Sequence, residues 1–161
     1  MTVTSTDKDY GALALTLVAH FDAPVHRVWE LWSDPRRLER WWGPPSYPAT
    51  VDRHELVPGG TVTYFMTGPD GAKYHGYWQV LAVDAPRALE FVDGFADADG
   101  RPDTSQPAPT CLVSLSEDGG RTRMEIRSRF DTREDMERLL QMGVAEGMAE
   151  ALGQVDELLA A

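Results

Sequence analysis

The stretch that decides the fold spans residues 21–45 and reads FDAPVHRVWELWSDPRRLERWWGPP. Four of the five tryptophans in the chain, Trp29, Trp32, Trp41 and Trp42, fall inside it. Asp22-Ala23-Pro24 opens a helix, because a proline in the first turn loses no hydrogen bond through its missing N–H. Val25, Val28, Trp29 and Trp32 then recur at helical spacing and form one apolar stripe. Ser33-Asp34-Pro35 starts a second short helix by the same device. That helix carries Leu38, Trp41 and Trp42 and stops at Gly43-Pro44-Pro45. Two short helices with this much aromatic surface need a concave partner to bury against. Trp29 and Trp32 read as structural; Trp41 and Trp42, beside the stop, read as the rim of a pocket.

Working outward, residues 13–21 alternate as a first strand, with Leu13, Leu15, Leu17, Ala19 and Phe21 on one face. Beyond the helix pair come six more strands, expected at 47–56, 61–67, 73–83, 87–92, 110–116 and 122–130. Turn signals separate them, among them Pro58-Gly59-Gly60 and Gly68-Pro69-Asp70-Gly71. Residues 93–109 are rich in Asp, Gly and Pro and read as a flexible acidic loop that could cover a cavity mouth. Thr132, with Asp135 three residues on, resembles a capping box. From Met136 to Leu159, apolar residues recur every three or four positions, which predicts one helix of about seven turns. A curved antiparallel sheet is the surface that could cover such a stripe. The expected fold is therefore α+β, in the order β-α-α-β6-α. Residues 1–10 read as a polar, frayed leader and residues 11–161 as a single domain.

The net charge of −11 argues against nucleic acid and against anionic membrane surfaces as partners. The N-terminus has no apolar segment of a secretion signal, and no apolar run reaches the length of a membrane span, so the expected location is the cytoplasm. One cysteine, Cys111, allows no intrachain disulfide, and its apolar strand setting predicts a small buried side chain.

With Phe21-Asp-Ala-Pro24, Val28-Trp29, Asp34-Pro35, Trp41-Trp42-Gly43-Pro44, Pro58-Gly59-Gly60, Asp70-Gly71, Gly76 and Met142-Gly143 to Glu146-Gly147 in this order, the chain resembles the START-like (SRPBCC) superfamily. That superfamily has the helix-grip fold of the birch-pollen allergens. Within it, the chain is similar to the branch named after the activator of the 90-kDa heat-shock protein ATPase. The resemblance implies a curved sheet gripping a long C-terminal helix, with a hydrophobic cavity between them. It is weak about function, because the superfamily includes lipid binders, cyclases and aromatases, hormone receptors and co-chaperone domains. The branch name itself suggests a setting in stress response.

The candidate ligand-binding residues follow from the hollow fold. Gly143 and Gly147 lie on the helical stripe, where each costs about 1 kcal/mol relative to Ala, and they either leave free volume or allow close packing. Trp41, Trp42, Tyr64, Met66, Tyr74, Trp78, Phe91 and Met124 supply aromatic and thioether surface suited to a pocket lining. His20, His26, His54 and His75 show no metal-ligand spacing; His54 and His75 are the candidate polar contacts to a ligand. No catalytic dyad or triad, cofactor motif or metal motif stands out. Binding of a small hydrophobic or aromatic molecule without catalysis therefore ranks first. An acid–base enzyme of the cyclase, aromatase or hydrolase kind ranks second, and a co-chaperone-like interaction module third. A homodimer is compatible with the sequence.

Overall fold

The computed structural model describes residues 3–160. Eight antiparallel strands form one sheet: β1 (Val3–Asp9), β2 (Ala14–Phe21), β3 (Ala49–His54), β4 (Thr61–Thr67), β5 (Lys73–Asp84), β6 (Ala88–Phe95), β7 (Thr110–Asp118) and β8 (Arg121–Arg129). Their spatial order is β1-β2-β8-β7-β6-β5-β4-β3. After β2 the chain must cross to the far edge of the sheet before β3 can pair. Helices α1 (Val25–Ser33) and α2 (Pro35–Leu38) make that crossing. α1 packs on β7 and β8, and α2 on β3.

The tryptophan-rich stretch is the hub of the core. Trp32 and Trp41 are fully buried, their rings 4.8 Å apart and edge to face. The Trp41 indole N–H donates to the Leu31 carbonyl at 3.0 Å, and that of Trp32 to the Met124 sulfur at 3.4 Å. Asp34 caps α2 by accepting from the Arg36 backbone N–H at 2.9 Å. Thr122 ties the stretch to the sheet. This fully buried hydroxyl donates to the Ala23 carbonyl at 2.6 Å, just before α1. Thr122→Val keeps the shape but leaves that carbonyl unpaired, so we expect a loss of about 1–2 kcal/mol in chemical denaturation.

The structure corrects two expectations. The segment read as a frayed leader is, over Val3–Asp9, an edge strand paired antiparallel with β2, from Val3 opposite Ala19 to Asp9 opposite Ala14, with one register shift between Val3 and Ser5. Its side chains are mostly exposed, so no apolar alternation announces it. It is held by the backbone ladder and by contacts such as the Thr4 hydroxyl on the Val18 carbonyl at 3.2 Å.

The C-terminal helical run does lie where the apolar stripe predicts, but in three pieces: α3 (Arg133–Gln141), α4 (Val144–Leu152) and α5 (Val155–Ala160). Gly143 has φ +87°, a left-handed conformation that ends α3 and that side chains disfavour. The second break, at Gly153-Gln154, is anchored. Gln154 Nε2 donates to the Gly43 carbonyl at 2.7 Å and to that of Trp41 at 3.3 Å, pinning the run to the Trp-Trp-Gly-Pro stop. The Thr132 cap of α3 is present, with its hydroxyl accepting from the Asp135 N–H at 3.1 Å.

Candidate functional site

A cavity of about 290 Å³ opens between the sheet and the C-terminal helices. Tyr64 and Met66 of β4, Tyr74 and Gly76 of β5, and Asp93 and Phe95 of β6 form its sheet wall. Leu139 of α3, Met142 and Gly143 of the link, and Val144, Gly147 and Met148 of α4 form the opposite wall. Trp42 and Pro44, after α2, and Pro107 and Pro109, from the long loop, complete the lining. Tyr74, Phe95 and Met142 line the cavity and are also solvent-exposed, so they mark its mouth. The helix break at Gly143 and the missing side chain at Gly147 leave room on the helical side. A Cβ added at Gly147 would meet nothing within 4 Å.

One polar pair sits in this apolar lining. The Tyr64 hydroxyl donates to Asp93 Oδ1 at 3.0 Å. β5 lies between their strands, and the pair forms because Gly76, directly opposite Tyr64 in register, has no side chain. The Tyr64 ring lies over Gly76, and a Cβ there would overlap the ring and its hydroxyl. Asp93 is deep in the protein yet keeps part of its surface open to the cavity. Burial pushes its carboxyl up to about 7, against the opposing effect of the Tyr64 hydrogen bond. Burial, and then the charge of Asp93, push the Tyr64 phenol well above its ordinary range, so it remains a donor. The Trp42 indole N–H approaches the same hydroxyl and favours its ionised form, but makes no hydrogen bond of good geometry.

The sequence-predicted residues divide cleanly. Trp42, Tyr64, Met66, Tyr74, Gly143 and Gly147 come together around the cavity. Trp41, Trp78, Phe91 and Met124 do not; they are core, essentially without exposure, with Trp78 and Phe91 stacked at 4.0 Å. The pocket-rim expectation for Trp41 is thereby corrected: its N–H serves α1, and Trp42 alone of the tandem faces the cavity. His54 lies elsewhere, its Nε2 at 2.9 Å from the Trp32 carbonyl. His75 borders the cavity, but strand alternation puts its ring on the outer face, 5.6 Å from that of Phe65.

Asp93 escapes the sequence reading because the strand is expected to end at residue 92. Extending β6 to Phe95 puts Phe91, Asp93 and Phe95 on one face, which is the signal that could have found it. The acidic loop is also more ordered than expected. Asp97 Oδ1 accepts from the Asp99 and Arg101 N–H groups at 2.9 and 3.0 Å. Hydrogen bonds from Ser105 hold the Asp103 carboxyl below its usual range. Cys111 is buried and its thiol is pushed up by desolvation, so it stays protonated.

A family model described as activator of Hsp90 ATPase homolog 1-like protein matches residues 22–160. The chain belongs to that family. The fold of this chain is shared, over nearly its full length, by solved structures of similar size. Protein Ms6760 from Mycobacterium smegmatis is 50% identical over 98% of this chain and 96% of its own, with a TM-score of 0.91. A protein from Arthrobacter aurescens is also 50% identical, over 99% of this chain and 92% of its own, with a TM-score of 0.94. A Staphylococcus epidermidis protein is 27% identical over 98% of this chain and 94% of its own, with a TM-score of 0.84. No curated protein matches the chain closely enough to lend it an activity. The activator of Hsp90 ATPase homolog 1-like family shares the helix-grip fold of the START-like superfamily and is associated with small hydrophobic ligands. Among the described residues of this member, no helix is long and apolar enough to cross a membrane.

Proposed function

We propose that this protein binds one small, largely apolar molecule in the cavity between the sheet and α3–α4, and that binding rather than catalysis is its activity. The observation that carries this is a cavity of about 290 Å³ with a mouth, lined by aromatic, methionine and proline side chains around a single hydroxyl–carboxyl pair. Mostly apolar pockets with a few fixed polar groups are the usual design of small-molecule sites. The working setting is the cytoplasm.

Gly147→Leu tests the reading. Its side chain has open space to enter, so the variant should fold and fill the cavity. Uptake of the neutral fluorophore N-phenylnaphthylamine should then fall at least tenfold, a loss read by fluorescence titration. Unchanged uptake by the folded variant would refute the cavity as the binding site.

The enzyme reading rests on the same pair. A carboxyl pushed up to about 7 beside a tyrosine can exchange protons near neutral pH. That role would belong to Asp93, with neither His54 nor His75 taking part. Turnover of a bound ester, abolished by Asp93→Asn with binding intact, would establish it.

A further inference from the structure

We propose that the molecule received by this cavity carries a protonated amine on an apolar body, with the ammonium group seated on Asp93 among the cavity's aromatic rings. The inference rests on the cavity being the binding site. Among the described residues, the Asp93 carboxyl has the Tyr64 hydroxyl as its one hydrogen-bond partner, and no cation pairs with it. No Lys or Arg is found among the cavity's lining residues. A carboxylate this deep normally has a cationic partner, because removing its charge from water unpaired is costly. Here the position of that partner is the cavity itself.

The walls suit the same group. Trp42, Tyr64, Tyr74 and Phe95 surround the space, and the faces of such rings attract cations. An anionic head, such as a carboxylate or sulfonate, would meet Asp93 with no compensating charge. A neutral hydroxyl could donate to Asp93, but a charge-assisted hydrogen bond is roughly twice as strong. The net charge of −11 also concentrates cations around the protein.

The pH dependence follows. Tyr64 of β4 is the titratable group that acts on Asp93 directly, and the charge of Asp93 is felt in turn by Tyr64, by Tyr77 of β5 and by Cys111 of β7. Burial and the charge of Asp93 push each of them upward, so none ionises between about pH 5 and pH 8. The helical wall facing Asp93 holds Leu139, Met142, Val144 and Met148, none of which is ionisable. The other titratable side chains lining the cavity, among the described residues, are Tyr74, exposed at its mouth, and His75, whose ring lies on the outer face. Amine affinity should therefore rise with pH as Asp93 loses its proton, and level off above about 7.

The test uses three probes with one skeleton: naphthylmethylamine, naphthalenemethanol and naphthoic acid, each titrated against bound N-phenylnaphthylamine. At about pH 8 we expect the amine to bind about tenfold tighter than the alcohol, and the acid to bind weakest. At about pH 5.5 the advantage of the amine should shrink to about twofold or less. Asp93→Asn should abolish that advantage at both pH values while the alcohol still binds. An acid that binds as well as the amine, or an amine advantage that survives Asp93→Asn, overturns the proposal. Uptake of N-phenylnaphthylamine without any amine preference overturns the proposal alone. Exclusion of all four compounds overturns the cavity reading as well.

Discussion

Asp93→Asn is expected to stabilise the protein at about pH 8 and to change its stability little near pH 4. The Asp93 carboxyl is raised from 3.8 to about 7 in the fold, so the folded protein holds this proton after the unfolded chain has released it. Stability that depends on the neutral acid is fully present below about pH 4. It declines as pH rises to about 7, and is level beyond that. The full shift corresponds to about 4 kcal/mol. Water reaching the carboxyl through the cavity reduces this to about 2–3 kcal/mol. Asparagine keeps an oxygen that accepts from Tyr64 and has no proton to lose. Denaturant unfolding of both proteins at several pH values should therefore give curves that nearly meet in acid and separate toward neutrality. Parallel curves across that range would show that Asp93 is not the buried acid described above.

The second large effect is expected at Gly76. A methyl group there would run into the Tyr64 ring, and both lie on paired central strands that cannot easily move apart. Gly76→Ala should cost about 1–3 kcal/mol, the usual penalty for overpacking a close-fitted site. It should also break the contact between Tyr64 and Asp93. Replacing Tyr64 with Leu in the Gly76→Ala background should recover much of the stability, since the overlapping atoms belong to the ring. The double-mutant cycle should give a coupling of at least about 1 kcal/mol. Additive losses would mean that the glycine is required for strand geometry and not for the crossing tyrosine.

Both predictions concern a pair that the sequence leaves hidden. Tyr64 is legible as an inward-facing aromatic, because Val62, Tyr64 and Met66 alternate with threonines and Phe65. Its partner is not, because Asp93 opens a loop rich in Asp, Gly and Pro that masks the last turn of alternation on β6. Likewise, Trp41 and Trp42 are adjacent and chemically identical. Only packing decides that one ring faces α1 and the other the cavity.

Sequence alone determines the container. Proline-primed helix starts, alternating strands and the long apolar stripe are local consequences of backbone geometry and side-chain period, and they specify an α+β fold of one antiparallel sheet and a C-terminal helical run, to which the resemblance in residues adds the helix-grip form. Tertiary structure decides three things that no local pattern encodes. Val3–Asp9 becomes a strand because β2 offers a free edge, and hydrogen bonding to an edge does not require apolar side chains. The C-terminal stripe becomes three helical segments because Gly143 takes a left-handed turn and Gln154 is tied to Gly43, more than a hundred residues away in sequence. Asp93 becomes an acid that titrates near neutrality because folding takes most of it out of water and gives it Tyr64 across Gly76, without a cation. Residues 21–45 identify the cavity-bearing fold. What the cavity accepts depends on charges and rings brought together from strands and helices far apart in the chain.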